Sequence, residues 1–260
     1  ALIRSTPVGY ARRSNWSRGW AKIVGGWMTA QQTPTFGISI ASIFRTAIVG
    51  FFKNPGPLFA AAMATLATYA AFRIPAQAAL NDDLLVRSIA LDLVGLVLAG
   101  VVAFPWYSYS LDVVDGKPID TRKPLESFWW IRPQLIASIF FWAGVLLGFR
   151  YLFGLLSIVV VVLYAFAGFV LADGKQRSGL KALGTSVLIG EGKRIGLVAI
   201  AALFMLFNMF GAISLGFGTV NAMTIGLAII GLAVTTSITM VGGAVVYRTL
   251  HTNLQTKERT

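Results

Sequence analysis

Cysteine is absent from the 260 residues, and histidine occurs once, as His251. Without cysteine there is no disulfide, thiolate nucleophile, iron–sulfur cluster or thiolate metal site. A single imidazole, placed beyond the last apolar segment, excludes a His-rich metal or haem centre, and no cofactor is expected. Charge is also scarce. Only 12% of the residues are Asp, Glu, Lys or Arg, about half of the roughly 25% found in an average soluble domain. Acidic side chains are the scarcest, ten against 22 basic ones, for a net charge of +12. In a soluble chain that excess would point to nucleic acid. Here the basic residues lie outside the long apolar stretches, and no basic stripe interleaved with base-stacking aromatics falls on a polar element. Anionic lipid headgroups are therefore the expected partner of the positive charge, and nucleic acid is not.

What the chain does have is apolar length. Hydrophobic residues make up 56% of it, and the 53 residues from Ile195 to Tyr247 carry no charge. A membrane-spanning helix needs roughly 20 apolar residues, so this run accommodates two spans and a turn, placed at Gly216, Gly218 and Asn221. Further spans are expected at about 57–76, between Asp92 and Asp112 with a kink at Pro105, at about 133–149, and at 151–172 after a tight turn at Arg150. The expected fold is an all-α membrane protein of about six transmembrane helices.

Short amphipathic segments precede each pair of spans, at 37–53, 124–132 and 178–190. The first ends in Asn54-Pro55-Gly56-Pro57, a helix breaker. Six spans thus group into three helical hairpins, each with an interfacial lead-in helix. Ahead of them, residues 1–36 form a basic, acid-free, Trp-rich arm. Trp16, Trp20 and Trp27 recur at helical spacing, with Arg13 and Arg18 on the other face, as in a helix lying at headgroup depth with its indoles as anchors. An organellar targeting segment has the same composition, whereas a secretory signal is excluded by the lack of an apolar h-region. The division expected is arm 1–36, transmembrane domain 37–250 and basic tail 251–260. Nineteen of the 22 basic residues fall on the side of the chain ends and lead-in segments, and three, Arg73, Arg87 and Arg150, on the other. The positive-inside rule then places both termini in the cytoplasm of a bacterial inner membrane, or on the equivalent side of an organellar inner membrane.

Candidate chemistry is sparse. Asp112-Val113-Val114-Asp115-Gly116 begins like the metal motif of CDP-alcohol phosphotransferases, whose clustered carboxylates hold divalent ions against a diphosphate. The run then departs from that pattern, and Asp120 alone does not complete it, so a solvated turn is expected. Asp92 is the main intramembrane acid, hence the position to consider for a proton or cation site, with Arg73 and Arg87 available to pair with it. Gly190-Glu191-Gly192-Lys193 lacks the spacing and the strand of a phosphate loop. The glycines of the last two spans suit close helix packing. The aromatic cluster Trp106, Tyr107, Tyr109, Phe128, Trp129 and Trp130 reads as an interfacial belt.

The segment FVLADGKQRSGLKALGTSVLIGEGKRIGLVAI, together with SIFRTAIVGFFKNPGPLF and SYSLDVVDGKPIDTRKPLESFWW, resembles bacterial polytopic proteins related to the glycerophosphoryl diester phosphodiesterase membrane domain. The resemblance covers roughly residues 38–255 and implies a six-helix fold. It carries no catalytic residue over, since the phosphodiesterase activity of that name belongs to a separate soluble domain. The function expected from all of this is non-catalytic: a scaffold, assembly factor or accessory subunit bound to other membrane protein subunits. A small-molecule or lipid transporter using Asp92, and a lipid-headgroup enzyme using Asp112 and Asp115, are the alternatives.

Overall fold

The computed structural model describes residues 39–151, 154–216 and 222–259, so the Trp-rich arm with Trp16, Trp20, Trp27, Arg13 and Arg18 lies outside the described residues. The described chain is helical throughout: α1 (Ile40–Lys53), α2 (Pro55–Asn81), α3 (Leu85–Val102), α4 (Phe104–Val114), α5 (Lys123–Glu126), α6 (Ile131–Tyr151), α7 (Leu155–Tyr164), α8 (Ala167–Ala172), α9 (Gly179–Ile189), α10 (Arg194–Gly211) and α11 (Ala222–Arg259). Among the described residues, five stretches are long and apolar enough to cross a membrane: Pro55–Asn81, Leu85–Val114, Phe128–Phe149, Arg194–Gly211 and Met223–Thr252. The protein is an all-α membrane protein.

Local chemistry sets the helix limits. The Ser39 hydroxyl accepts from Ser42 N–H at 3.2 Å and caps α1. Asn54 ends α1, and Pro55 opens α2, where the missing N–H costs nothing. The second span breaks at Ala103, two residues before Pro105, because proline has no N–H for Val101 O and its ring crowds that turn. This is the expected kink. The lead-in segments are helical as expected, in α1, in α5 with the 3-10 turn Phe128–Trp130, and in α9.

Two expectations need correction. The stretch 151–172 is not one helix but two, α7 and α8, and α6 continues through Arg150, where a tight turn was expected. The cause of the split is a single side chain. Ser186 of α9, fully buried, accepts from Phe166 N–H at 3.1 Å and donates to Leu163 O at 2.8 Å. It thus takes over two backbone groups whose partners in a continuous helix would be Val162 O and Ala167 N–H. The aromatic belt is likewise only partly a belt. Phe128 and Trp129 are exposed, but Trp106, Tyr109 and Trp130 are buried. The 3-10 turn points Trp130 inward, where its Nε1 donates to Pro124 O at 2.8 Å and its ring stacks on Phe104 at 4.4 Å.

The last helix is the centre of the bundle. Half of its most apolar window is buried, against 17% for Pro55–Asn81 and for Arg194–Gly211. It packs on α1, α2, α4 and α10. It also runs through residues 251–259, so the expected tail continues the helix. Small residues admit these contacts: a Cβ on Gly211 would come within 2.6 Å of Gly231 O, and one on Gly242 within 2.6 Å of the Phe204 ring.

Candidate functional site

At the basic end of the bundle the sequence repeats a triplet. Asp115-Gly116-Lys117 follows α4 and Asp173-Gly174-Lys175 follows α8. Both aspartates close their helices, with N–H bonds to Leu111 O at 2.9 Å and Phe169 O at 2.8 Å. The glycines that follow have φ of 68° and 72°, the left-handed region that ends helices and that a Cβ disfavours. The same turn therefore presents a carboxylate at the end of two different spans.

Arg248 of α11 joins them. Its Nε and Nη2 donate to Asp115 Oδ1 and Oδ2 at 2.8 and 2.7 Å, and its Nη1 donates to Asp173 Oδ1 at 2.8 Å. The planar fork of guanidinium suits this two-sided grip, which lysine cannot make. Each triplet lysine pairs with its own aspartate, Lys117 Nζ to Asp115 Oδ2 at 3.0 Å and Lys175 Nζ to Asp173 Oδ2 at 3.2 Å. The Tyr247 hydroxyl, on a fully buried side chain, donates to Asp173 Oδ2 at 3.1 Å, and Lys175 Nζ lies 2.9 Å from His251 Nε2. Burial alone would raise the Asp115 carboxyl. Hydrogen bonds from Lys117 and Arg248 outweigh it and hold the group below its ordinary value. The three hairpins end in one ionic knot: two contribute the carboxylates and the third contributes the cation.

The expected site residues fall apart from one another. Asp115 is in the knot, while Asp112 joins no ion pair among the described residues. Asp120 Oδ1 accepts from Arg122 N–H at 3.0 Å in its own loop. No three His, Cys, Asp or Glu side chains converge as metal ligands among the described residues. Asp92 pairs with Arg73, not Arg87, at 2.6 Å between Oδ2 and Nη1. The pair extends into a rail along α2, with Arg73 Nη2 to Gln77 Oε1 at 3.4 Å and Gln77 Nε2 to Asn81 Oδ1 at 3.2 Å. It ties the first hairpin together on the side away from the knot.

Between the helices lies a cavity of about 650 Å³, bordered by Trp106, Phe141, Ala165, Phe204, Asn208 and Met240 among others. A second one of about 240 Å³ shares the Trp106 and Ala165 walls and adds Gln134 and Ser138. No charged side chain borders either, and Asp92 borders neither. The split between α7 and α8 supplies Ala165, so the serine that breaks the helix also shapes the cavity. Searches of family models, of curated proteins and of solved structures find no match to this chain.

Arg248, Tyr247, Asp173 and Lys175 were not singled out from the sequence. The repeated Asp-Gly-Lys triplet is the signal that points to them, since an Asp-Gly pair after an apolar helix is a helix end with a charged cap. Nothing in the linear pattern points to the arginine that joins them.

Proposed function

We propose that this chain is a non-catalytic multi-pass protein of a bacterial inner membrane, with both termini cytoplasmic, that serves as a scaffold, assembly factor or accessory subunit of a membrane complex. The knot is the observation that carries this reading. Asp115, one of the carboxylates considered for chemistry, is taken up together with Asp173 in tying the ends of three hairpins to Arg248, which makes the bundle a platform with fixed helix ends. The lead-in helices at the same end expose bulky apolar side chains, Phe52 on α1 and Leu180 and Leu188 on α9, beside basic ones. Such faces suit headgroup-level contacts with lipids and with other subunits. The orientation rests on the nineteen-to-three division of basic residues, while the resemblance to the glycerophosphoryl diester phosphodiesterase membrane domain group implies a six-helix fold only. Extraction in a mild detergent followed by native mass spectrometry tests the proposal. Stoichiometric partner subunits are expected, and a lone monomer with no partner after in-membrane cross-linking would overturn it.

The cavity favours a second reading, a small-molecule or lipid transporter. Its volume is in the range of ligand sites, and it lies beside residues at the middle of α10 and α11. Asp92 is not part of it, so the decisive variant is Ala165→Phe, which fills the shared wall. Loss of co-purifying small molecules in that variant supports transport; an unchanged set removes this reading.

A further inference from the structure

One face of α1 is polar and runs its whole length. Ser42, Arg45, Thr46, Val49, Gly50 and Lys53 are spaced three and four apart, the spacing of a single helix face. These residues line a cleft of about 610 Å³, closed on the other side by Val113, Gly116 and Lys117 and at its end by Asn54. The cleft is built by close approach. A Cβ on Gly50 would stand 2.6 Å from Val113 Cγ1, so glycine lets α1 sit against the end of α4. On the other side Gly116, with its φ of 68°, and Lys117 form the wall.

Its charge is unbalanced. Arg45 and Lys53 join no ion pair among the described residues, and Lys117 shares its one carboxylate with the Arg248 fork. The Thr46 hydroxyl and the Asn54 amide make no side-chain hydrogen bond either among the described residues. The preceding 38 residues hold five basic and no acidic side chains, so that part of the chain brings no anion to the cleft. The cleft also sits where α1 meets the first residue of the first span, and Val49 in its lining is 46% exposed. Cations, a hydroxyl and an amide around one cleft match a tetrahedral oxyanion with several acceptor oxygens. The apolar Val49 and Val113 in the same lining match the start of an acyl chain.

We propose that the cleft between α1 and the Asp115–Lys117 turn binds a phosphate group, that of an anionic phospholipid headgroup or free phosphate, with Arg45 and Lys53 as its main ligands. The site is independent of the proposed scaffold role, because it requires no protein partner.

The test uses the full-length protein, delipidated in detergent, with phosphatidylglycerol, phosphatidylcholine of the same acyl chains, and inorganic phosphate as probes in native mass spectrometry. The wild type is expected to prefer phosphatidylglycerol. Arg45→Gln/Lys53→Gln should weaken that binding on the order of 25-fold, about fivefold for each cation lost near a headgroup. Arg45→Lys/Lys53→Arg, which keeps the charge, should retain it, and Arg132→Gln/Lys181→Gln, at the same end but outside the cleft, should leave it unchanged. Displacement of the lipid by millimolar inorganic phosphate assigns the site to the free anion; failure to displace assigns it to the lipid. Equal binding of the two lipids by the wild type, with no binding of inorganic phosphate, overturns the proposal. So do equal losses in the cleft and control pairs, or a loss in the charge-keeping swap as large as in the Gln pair.

Discussion

Arg248 holds two carboxylates from different hairpins, at 2.7 to 2.8 Å, and it is the residue whose loss should be felt most widely. Its side chain is about one-quarter exposed, so solvent screens part of the attraction, but removing it leaves Asp115 and Asp173 close together without their shared partner. Arg248→Met is expected to lower the melting temperature in detergent by roughly 5 °C; an unchanged melting temperature would mean the knot contributes nothing to stability. The pH dependence follows from Asp115. A carboxylate held below its ordinary value contributes stability that is full above about pH 4 and fades as pH falls through the lower, folded value. The melting-temperature gap between wild type and Asp115→Asn should therefore be constant across neutral and mildly acidic pH and close only below about pH 4. Asp92 calls for a different comparison. Asp92→Leu leaves Arg73 without its carboxylate, while Arg73→Leu/Asp92→Leu removes both charges. The double variant should be more stable than the single one, and a reversed order would point to a role for Arg73 beyond its pairing.

At the scale of elements, the split fourth span is the feature with the clearest physical cause. Ser186 stands in for one turn of backbone bonding, from an element 20 residues further along the chain. Ser186→Ala removes both bonds at once and leaves Phe166 N–H and Leu163 O unpaired among buried neighbours, at a cost of about 1–3 kcal/mol. Faster amide exchange confined to residues 163–167 is the expected signature. Exchange that stays at the wild-type rate there would show that α7 and α8 can rejoin without the serine. Pro105 makes the other break by a mechanism internal to its own span, since any α-helix reaching a proline loses the same bond.

At the scale of the molecule, the knot gathers the ends of α4 and α8 and the last turns of α11 on one side, while the Asp82–Leu84 turn lies at the other end of a 27-residue helix, about 40 Å away. A chain without cysteine is suited to mapping that separation one thiol at a time. Thr121→Cys and Asp83→Cys should react with a membrane-impermeant maleimide from opposite faces of sealed vesicles, with Thr121 on the cytoplasmic face. Labelling of both from one face would contradict the hairpin arrangement.

Much of this was legible along the chain. Apolar length marks spans, and proline and Asn-Pro-Gly-Pro mark where helices stop, because those effects act within a few residues of their source. The scarcity of charge identified the solvent of the fold, and the position of Asp92 beside Arg73 and Arg87 narrowed its partner to two. What remained was decided by residues far apart in sequence. Which arginine pairs with Asp92, which serine divides the fourth span, whether Trp106 and Trp130 face lipid or core, and which cation reaches both Asp-Gly-Lys turns all depend on how the helices pack. The hairpins themselves follow from hydrophobic length, a local and additive property. The knot, the cavity and the cleft depend on side-chain geometry at a few ångströms, which exists only once the hairpins have come together around α11.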